Sequence, residues 1–288
     1  MIDLHLHSYY SDGVYSPQDL MKKAKQSGFN LLSLTDHNGI DGIKEFQEEG
    51  KKLKVKVITG VEIYTYFKDK HLHLLGYGFD LENKKLNSVL KELQASHLLK
   101  IKKIIKILQK NGWQMDERDV FKIKAPYIGV ANLAGVFQKY PQNQDRIRKD
   151  FNWTPKKIIS LTDIIEKYFF KNDVSLCPET ELDIKQAIKL IKQAHGKAVL
   201  AHPGQQLAWH DGNIIKDLKK SGLDGLEAIS SHHSWGSNEH WQKVAKELNL
   251  TITVGSDFHG ILPKEWGFDI NSVWDYFKIN NENFICRF

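Results

Sequence analysis

The chain has 288 residues, 41% hydrophobic and 26% charged, with a formal net charge of +6. This is ordinary globular usage, which excludes a disordered chain, a fibrous repeat and a disulfide scaffold. The length leaves room for one α/β domain of about 200–250 residues and an appended piece.

The N-terminus, Met1-Ile2-Asp3-Leu4-His5, has no basic or apolar leader region, so a signal peptide is not expected. Residues 2–7 alternate with period two and read as a strand. Ser16-Pro17 opens a helix to Gly28, with Ser16 as N-cap and Pro17 at the first position. Residues 30–35 read as a second strand, 39–53 as a helix, and 55–67 and 71–77 as strands. From 83 to 110 the pattern is one long Leu/Ile/Lys helix, and residues 112–175 read as short helices and loops. The βα rhythm resumes near Leu182: helix to His195, strand 197–201, helix 213–221, strand 224–229, helix 238–248 and strand 250–255. Repeated βα units imply a parallel sheet or a barrel. No apolar run reaches about 18 residues, so no transmembrane helix is expected. Cys177 and Cys286 read as free thiols in a reducing cytosol.

The charge is unevenly spread. Residues 82–160 hold 17 Lys/Arg and 7 Asp/Glu, whereas the rest holds 24 and 28. The expected organisation is therefore a mildly acidic body, 1–81 and 181–288, interrupted by a basic, mainly helical insert, 82–180. Basic segments favour polyanion partners, although lysine-rich helices also serve as solvated faces.

Thirteen histidines are present, and their placement carries the chemistry. His5 and His7, at i and i+2 of a strand, share one face. Asp12 follows in the adjoining loop, Asp36-His37 follows the second strand and Glu62 ends the third. His71 and His73 share a face of the fourth. His202 follows Leu200-Ala201, and Asp257 and His259 follow Val254-Gly255. In βα barrels the C-terminal strand ends carry the active site. Imidazoles and carboxylates without thiolate suit Zn, Mn or Fe. About nine ligands exceed the four that one tetrahedral ion needs, so two to three divalent ions are expected, with Glu62 as a candidate bridge. Asp3 and Asp36 read as residues that orient the ligands, and His71 as a surface neighbour of His73. His97, His195, His210 and His240 fall in helical stretches and carry no assigned role. No Gly-x-Ser-x-Gly elbow, phosphate-cradling Gly-rich loop or dinucleotide fingerprint is present.

With these residues in view, the chain resembles the PHP family, the polymerase and histidinol phosphatase metallophosphoesterases. The blocks that carry the resemblance are Asp3-Leu4-His5-Leu6-His7-Ser8, Ser11-Asp12-Gly13, Leu34-Thr35-Asp36-His37, Gly60-Val61-Glu62-Ile63, His73-Leu74-Leu75-Gly76, Ala201-His202-Pro203-Gly204 and Gly255-Ser256-Asp257-Phe258-His259-Gly260. The resemblance implies a distorted, TIM-like βα barrel of about seven strands with a trinuclear Mn, Fe or Zn centre. His5, His7, Glu62 and Asp257 would hold the first ion, Glu62, His73 and His202 the second, and Asp12, His37 and His259 the third. A metal-bridging hydroxide would attack the phosphate ester. Glu62, His202, Asp257 and His259 are thus the candidate catalytic residues, the two histidines being ligands first.

The insert resembles the subgroup that acts on nucleoside monophosphates, on 3′,5′-bisphosphates or, as an exonuclease, on the 5′ end of RNA. Where relatives carry Arg-Pro-His-Ile, this chain reads Ala125-Pro126-Tyr127-Ile128. Candidate substrate contacts are His233, in Ser231-His232-His233-Ser234, and Lys102 and Lys103 on the long helix, with Trp113, Tyr127 and Trp153 as stacking aromatics. The expected partner is a small phosphorylated molecule, a nucleotide or short RNA, in the cytoplasm; no membrane or protein partner is inferred. The alternatives are a histidinol-phosphate-type phosphatase and a metal-stabilised binding module without turnover.

Overall fold

The computed structural model describes residues 1–122, 127–156, 159, 161–170, 181–260 and 274. Ala125, Pro126, Cys177 and Cys286 lie outside them. In chain order the elements are β1 (Ile2–Leu6), α1 (Pro17–Gln26), β2 (Leu31–Leu34), α2 (Ile43–Leu53), β3 (Lys56–Phe67), β4 (Lys70–Tyr77), α3 (Lys84–Lys110), α4 (Glu117–Phe121), α5 (Val130–Phe137), α6 (Pro141–Asp150) and α7 (Leu161–Ile164), which runs on into a π-helical stretch, Ile165–Phe170. There follow β5 (Leu182–Asp183), α8 (Ile184–Gln193), β6 (Lys197–Leu200), α9 (Pro203–Gln206), a 3₁₀ turn (Trp209–Asp211), α10 (Gly212–Lys220), β7 (Gly225–Ser230), α11 (Trp235–Glu247) and β8 (Thr251–Gly255). The sheet runs β1-β2-β3-β4-β6-β7-β8, with β5 paired to β3.

Local chemistry sets several element ends. Ser16 accepts a hydrogen bond from Asp19 N at 3.1 Å and Pro17 occupies the first turn of α1. Asp183 caps α8 by accepting from the amides of Lys185 and Gln186, so the helix starts two residues later than its apolar pattern begins.

The sheet is mixed rather than wholly parallel. β4 runs antiparallel to both β3 and β6, and the other pairs are parallel. Only Lys68 and Asp69 separate β3 from β4, too few for the crossover that a parallel pair requires. They close a hairpin instead, and its register sets Tyr64 opposite His73. The ends of the sheet meet at a parallel bridge between Leu6 and Phe258, so the barrel is nearly closed.

The barrel and the insert each have an apolar core. α8, α10 and α11 pack on the outside of the sheet through residues such as Ile188, Ile191, Leu218 and Trp241. The insert packs Ile101, Ile105 and Leu108 of α3 around Phe137, Trp113 and Phe169. Leu98, although apolar, is exposed; His97 and Lys100 take the inward face of that turn because it meets the wall of the barrel mouth. There the Lys100 ammonium lies 2.8 Å from Glu181, and His71 pairs with the same carboxylate at 2.6 Å. Among the described residues no helix is long and apolar enough to cross a membrane.

Asp3 holds the seam of the barrel. Its fully buried carboxylate accepts from the Ser256 amide (2.9 Å), the Ser256 hydroxyl (2.5 Å), the His5 amide (3.2 Å) and Trp274 Nε1 (3.0 Å). Burial pushes its pKa up to about 7 against the opposing Ser256 bonds. Four donors converge on an acceptor with room for four. Asp3→Asn replaces one acceptor edge with donors, and unmatched buried donors cost about 1–3 kcal/mol. Urea unfolding of metal-free protein is expected to show a loss of about that size, with a smaller effect for Ser256→Ala.

Candidate metal centre

The mouth of the barrel gathers nine side chains from separate segments. His5 comes from β1 and His7 from the residue just past it, Asp12 from the following loop, and His37 from the turn after β2. Glu62 and His73 face each other from the β3–β4 hairpin. His202 follows β6, and Asp257 and His259 follow β8. They form three groups whose candidate ligand atoms all lie within 4.8 Å of one another: His5, His7, Glu62 and Asp257; Glu62, His73 and His202; and His7, Asp12, His37 and His259.

Nε2 of His5 lies 3.2 Å from both Glu62 Oε2 and Asp257 Oδ1. Nε2 of His7 lies 3.2 Å and 2.9 Å from the same two oxygens. On the other edge of Glu62, Oε1 lies 2.9 Å from His73 Nδ1 and 3.2 Å from His202 Nε2. Asp12 Oδ1 lies 3.1 Å from His259 Nε2 and 3.5 Å from His37 Nε2.

A chemical test shows that these donors suit cations. His5 Nε2, His7 Nε2, Asp12 Oδ1, His37 Nδ1, Glu62 Oε2 and Asp257 Oδ1 are buried and have no hydrogen-bond partner, although they crowd one another. Buried polar atoms left in this way are costly. Two ligands about 2.0–2.2 Å from one ion at tetrahedral angles lie roughly 3.3–3.6 Å apart, and closer at right angles. The spacing therefore matches atoms turned toward shared ions.

Supporting bonds decide which nitrogens are offered. Glu227, fully buried, places Oε1 3.0 Å from His5 Nδ1 and accepts the His202 amide at 2.9 Å. This keeps the His5 proton on Nδ1 and leaves Nε2 facing inward. Ser11 donates its hydroxyl to Asp36 at 2.5 Å, so it receives His7 Nδ1–H at 3.2 Å. His7 thus offers only Nε2, and the third group reduces to Asp12, His37 and His259. A Cβ on Gly255 would overlap both Glu227 and His5, so glycine there lets the carboxylate reach the ring.

Charge is strongly coupled across the mouth. Burial alone would raise Glu62, but the imidazoles of His5, His37 and His73 hold it well below the usual carboxylate range. Asp257 is lowered against burial by His5 and His259, and Asp12 by His259 and His37. Burial opposes charge on His7, yet Asp257 and Glu62 raise it to about 10. The carboxylates thus hold protons on nitrogens where a cation would displace them. His202 is lowered, chiefly by burial.

The expected substrate contacts are placed differently from the nine. His233 is 3% exposed; its Nε2 accepts the Gly204 amide at 2.9 Å and its Nδ1 lies 3.1 Å from Asn238 Oδ1. Both ring nitrogens are therefore engaged in holding two loops together. Its neighbour His232 faces the cluster, with Nε2 2.6 Å from Asp257 Oδ2. Lys102 lies on the outer face of α3, 3.4 Å from Glu117, and Lys103 is exposed beside it. Trp113 is buried in the insert core beneath the Arg146 guanidinium, and Trp153 lies beside Arg148.

Three features escaped the sequence reading. Glu227 sits mid-strand in an apolar run, and only its position beneath His5 reveals it. His232 was visible as half of a His-His pair, but which half faces inward is decided by the turn. His97 lies in a helical pattern yet stacks on Tyr127 at 4.3 Å, and its Nε2 donates to Ile128 O at 2.6 Å. Burial lowers His97 to about 4, so it is neutral and Nδ1 can accept the Tyr127 hydroxyl, 3.4 Å away. Tyr127 in turn lies 5.9 Å from the His37 ring, which makes this part of the insert a wall of the mouth.

The PHP domain family model matches residues 3–201. A 5′-3′ exoribonuclease of Haemophilus influenzae is 30% identical over 269 residues, 89% of each chain. A 3′,5′-nucleoside bisphosphate phosphatase of Chromobacterium violaceum is 25% identical over 284 residues, 95% of this chain and 92% of its own. A solved Chromobacterium violaceum structure, described as an amidohydrolase with bound SO4 and no metal, shares the fold with a TM-score of 0.77 at 23% identity, covering 97% of this chain and 96% of that one.

Glu227→Gln is expected to weaken cation binding about 10–100-fold, the usual cost of losing such a supporting carboxylate. Competition with a chromogenic chelator measures it. An unchanged affinity would show that Glu227 only fills space.

Proposed function

The chain belongs to the PHP domain family, and from that premise we propose that it removes phosphate from nucleotides, or from the 5′ end of short RNA, using two or three divalent cations. It is a hydrolase of phosphate esters. The observation that carries the reading is the set of orphaned, mutually facing donors at the mouth. The names of the Haemophilus influenzae and Chromobacterium violaceum relatives support nucleotide or RNA as the substrate class, and so does the basic insert. Mn, Fe and Zn all suit the donor set, and a cytoplasmic location suits a chain with only two cysteines.

Bound cations would supply Lewis acidity at the phosphoryl oxygens and activate the attacking water. The chain's own residues do the rest. His5, His7, Glu62 and Asp257 would hold one cation, Glu62, His73 and His202 a second, and Asp12, His37 and His259 a third. Glu62 presents one oxygen to the first set and the other to the second, so a single carboxylate sets their spacing. Three lowered carboxylates leave a di- or trinuclear site with net positive charge, which favours a phosphate dianion. His232 Nε2, 2.6 Å from Asp257, is placed to give a proton to the departing oxygen, whereas His259 turns Nε2 toward Asp12 as a ligand.

A panel of a nucleoside monophosphate, a 3′,5′-bisphosphate, a 5′-phosphorylated tetraribonucleotide, histidinol phosphate and an aryl phosphate, each with Mn²⁺, tests the reading. Preference for a nucleotide or the RNA supports it, and no phosphate release from any of them overturns it. Glu62→Gln, fully loaded with metal, should lower kcat by about two orders of magnitude or more. Asp12→Ala should lower metal content by one ion and leave the others bound, as elemental analysis would show. Reversing Lys102, Lys103 and Lys106 to Glu should raise KM for the tetraribonucleotide far more than for the aryl phosphate. In the unaltered protein the log–log salt slope for that RNA should be roughly −2 or steeper, at about −0.7 per neutralised phosphate.

A further inference from the structure

Trp209 and Trp235 are 61% and 66% exposed, the most exposed tryptophans among the described residues. Both lie in connections that follow neighbouring parallel strands. Trp209 belongs to the β6–α10 connection that carries His202, and Trp235 starts α11, three residues after His232. β6 and β7 pair in parallel, so both connections leave the same end of the barrel, the end that carries the cluster. They are fastened together where the Gly204 amide meets His233, and a Cβ on Gly204 would lie 2.7 Å from that ring.

Neither indole is loose. Trp209 stacks on His240, with ring centroids 5.0 Å apart and planes 8° from parallel, and its ring edge reaches beside Gly236. Trp235 Nε1 donates to Glu239 at 3.1 Å. Large exposed apolar rings held in place are uncommon without a partner. Here they stand on the connections at the barrel end that carries a mouth read as a phosphate site, and any nucleobase offers a flat face that stacks on an aromatic ring.

We propose that Trp209 and Trp235 form a base-stacking platform for the nucleotides next to the scissile phosphate. This rests on the phosphoesterase reading and adds how that site would tell a nucleic acid from other phosphate esters. His233 then acts as a positioning residue, since it joins the connection bearing one indole to the connection bearing the other.

Fluorescence anisotropy of metal-loaded protein with a 3′-labelled, 5′-phosphorylated tetra-adenylate, and with an abasic strand of equal phosphate count, tests the platform. The unaltered protein should bind the adenylate at least tenfold more tightly than the abasic strand. Trp209→Ala/Trp235→Ala should bind both alike, and Trp209→Phe/Trp235→Phe should keep much of the preference. Equal binding of the two strands by the unaltered protein overturns the proposal, as does an undiminished preference in the alanine variant. Light scattering that shows a dimer lost in the alanine variant, with strand preference intact, would assign the patch to self-association instead. Failure of the underlying reading would look different: no phosphate release by the unaltered protein from any substrate in the panel.

Discussion

At the mouth of the barrel, buried nitrogens of His5, His7 and His37 face the carboxylate oxygens of Glu62 and Asp257 at 2.9–3.2 Å without hydrogen-bond partners. Such an arrangement is unfavourable unless cations fill it or protons relieve it. Much of the surrounding structure keeps these groups from relaxing apart. Glu227 pins His5, the Asp36–Ser11 pair pins His7, and Asp3 binds the loop before Asp257 to the first strand. Each support is itself a buried carboxylate with its own donors, so the cost of the central charges is spread through a second layer of hydrogen bonds.

The hairpin between β3 and β4 extends this principle. A strictly parallel sheet would place only residues at strand ends around the mouth. Reversal at Lys68-Asp69 brings His73 back along β4, opposite Tyr64 and within reach of Glu62. One carboxylate thereby serves imidazoles from β1, β4 and the segment after β6. The insert leaves from the end of this same hairpin. It returns Tyr127, Ile128 and His97 to the rim, and Lys100 and Glu181 form a buried ion pair close by. The insert is thus both a separate apolar core and part of the wall of the mouth.

The rim divides into two chemical halves. On the insert side, beside the Lys100–Glu181 pair, the buried rings are neutral: His97 is held near pKa 4, and Tyr64 and Tyr127 are pushed well above the ordinary phenol range by burial. On the side of β6 and β7 the loops are fastened by His233 and carry exposed indoles.

Strand alternation and helix caps in the sequence were enough to place most elements to within a few residues, because burying an apolar face imposes its period on the local chain. Most of the nine candidate ligands were legible for a related reason: a side chain that reaches a barrel mouth usually sits at a strand end, and His5-Leu6-His7 and Asp257-Phe258-His259 announce those ends, whereas Glu62 and His73 reach it from within the β3–β4 hairpin. Local pattern could not show which groups would stand behind the ligands. Glu227 lies 222 residues from His5, and its role exists only once closure of the barrel brings β7 and β8 round to β1. Nor could pattern separate His232 from His233, or distinguish the buried Trp113 from the exposed Trp209 and Trp235, since composition does not say which side of a turn faces inward. Those assignments depend on contacts between distant segments, which only the closed barrel and its packed insert create.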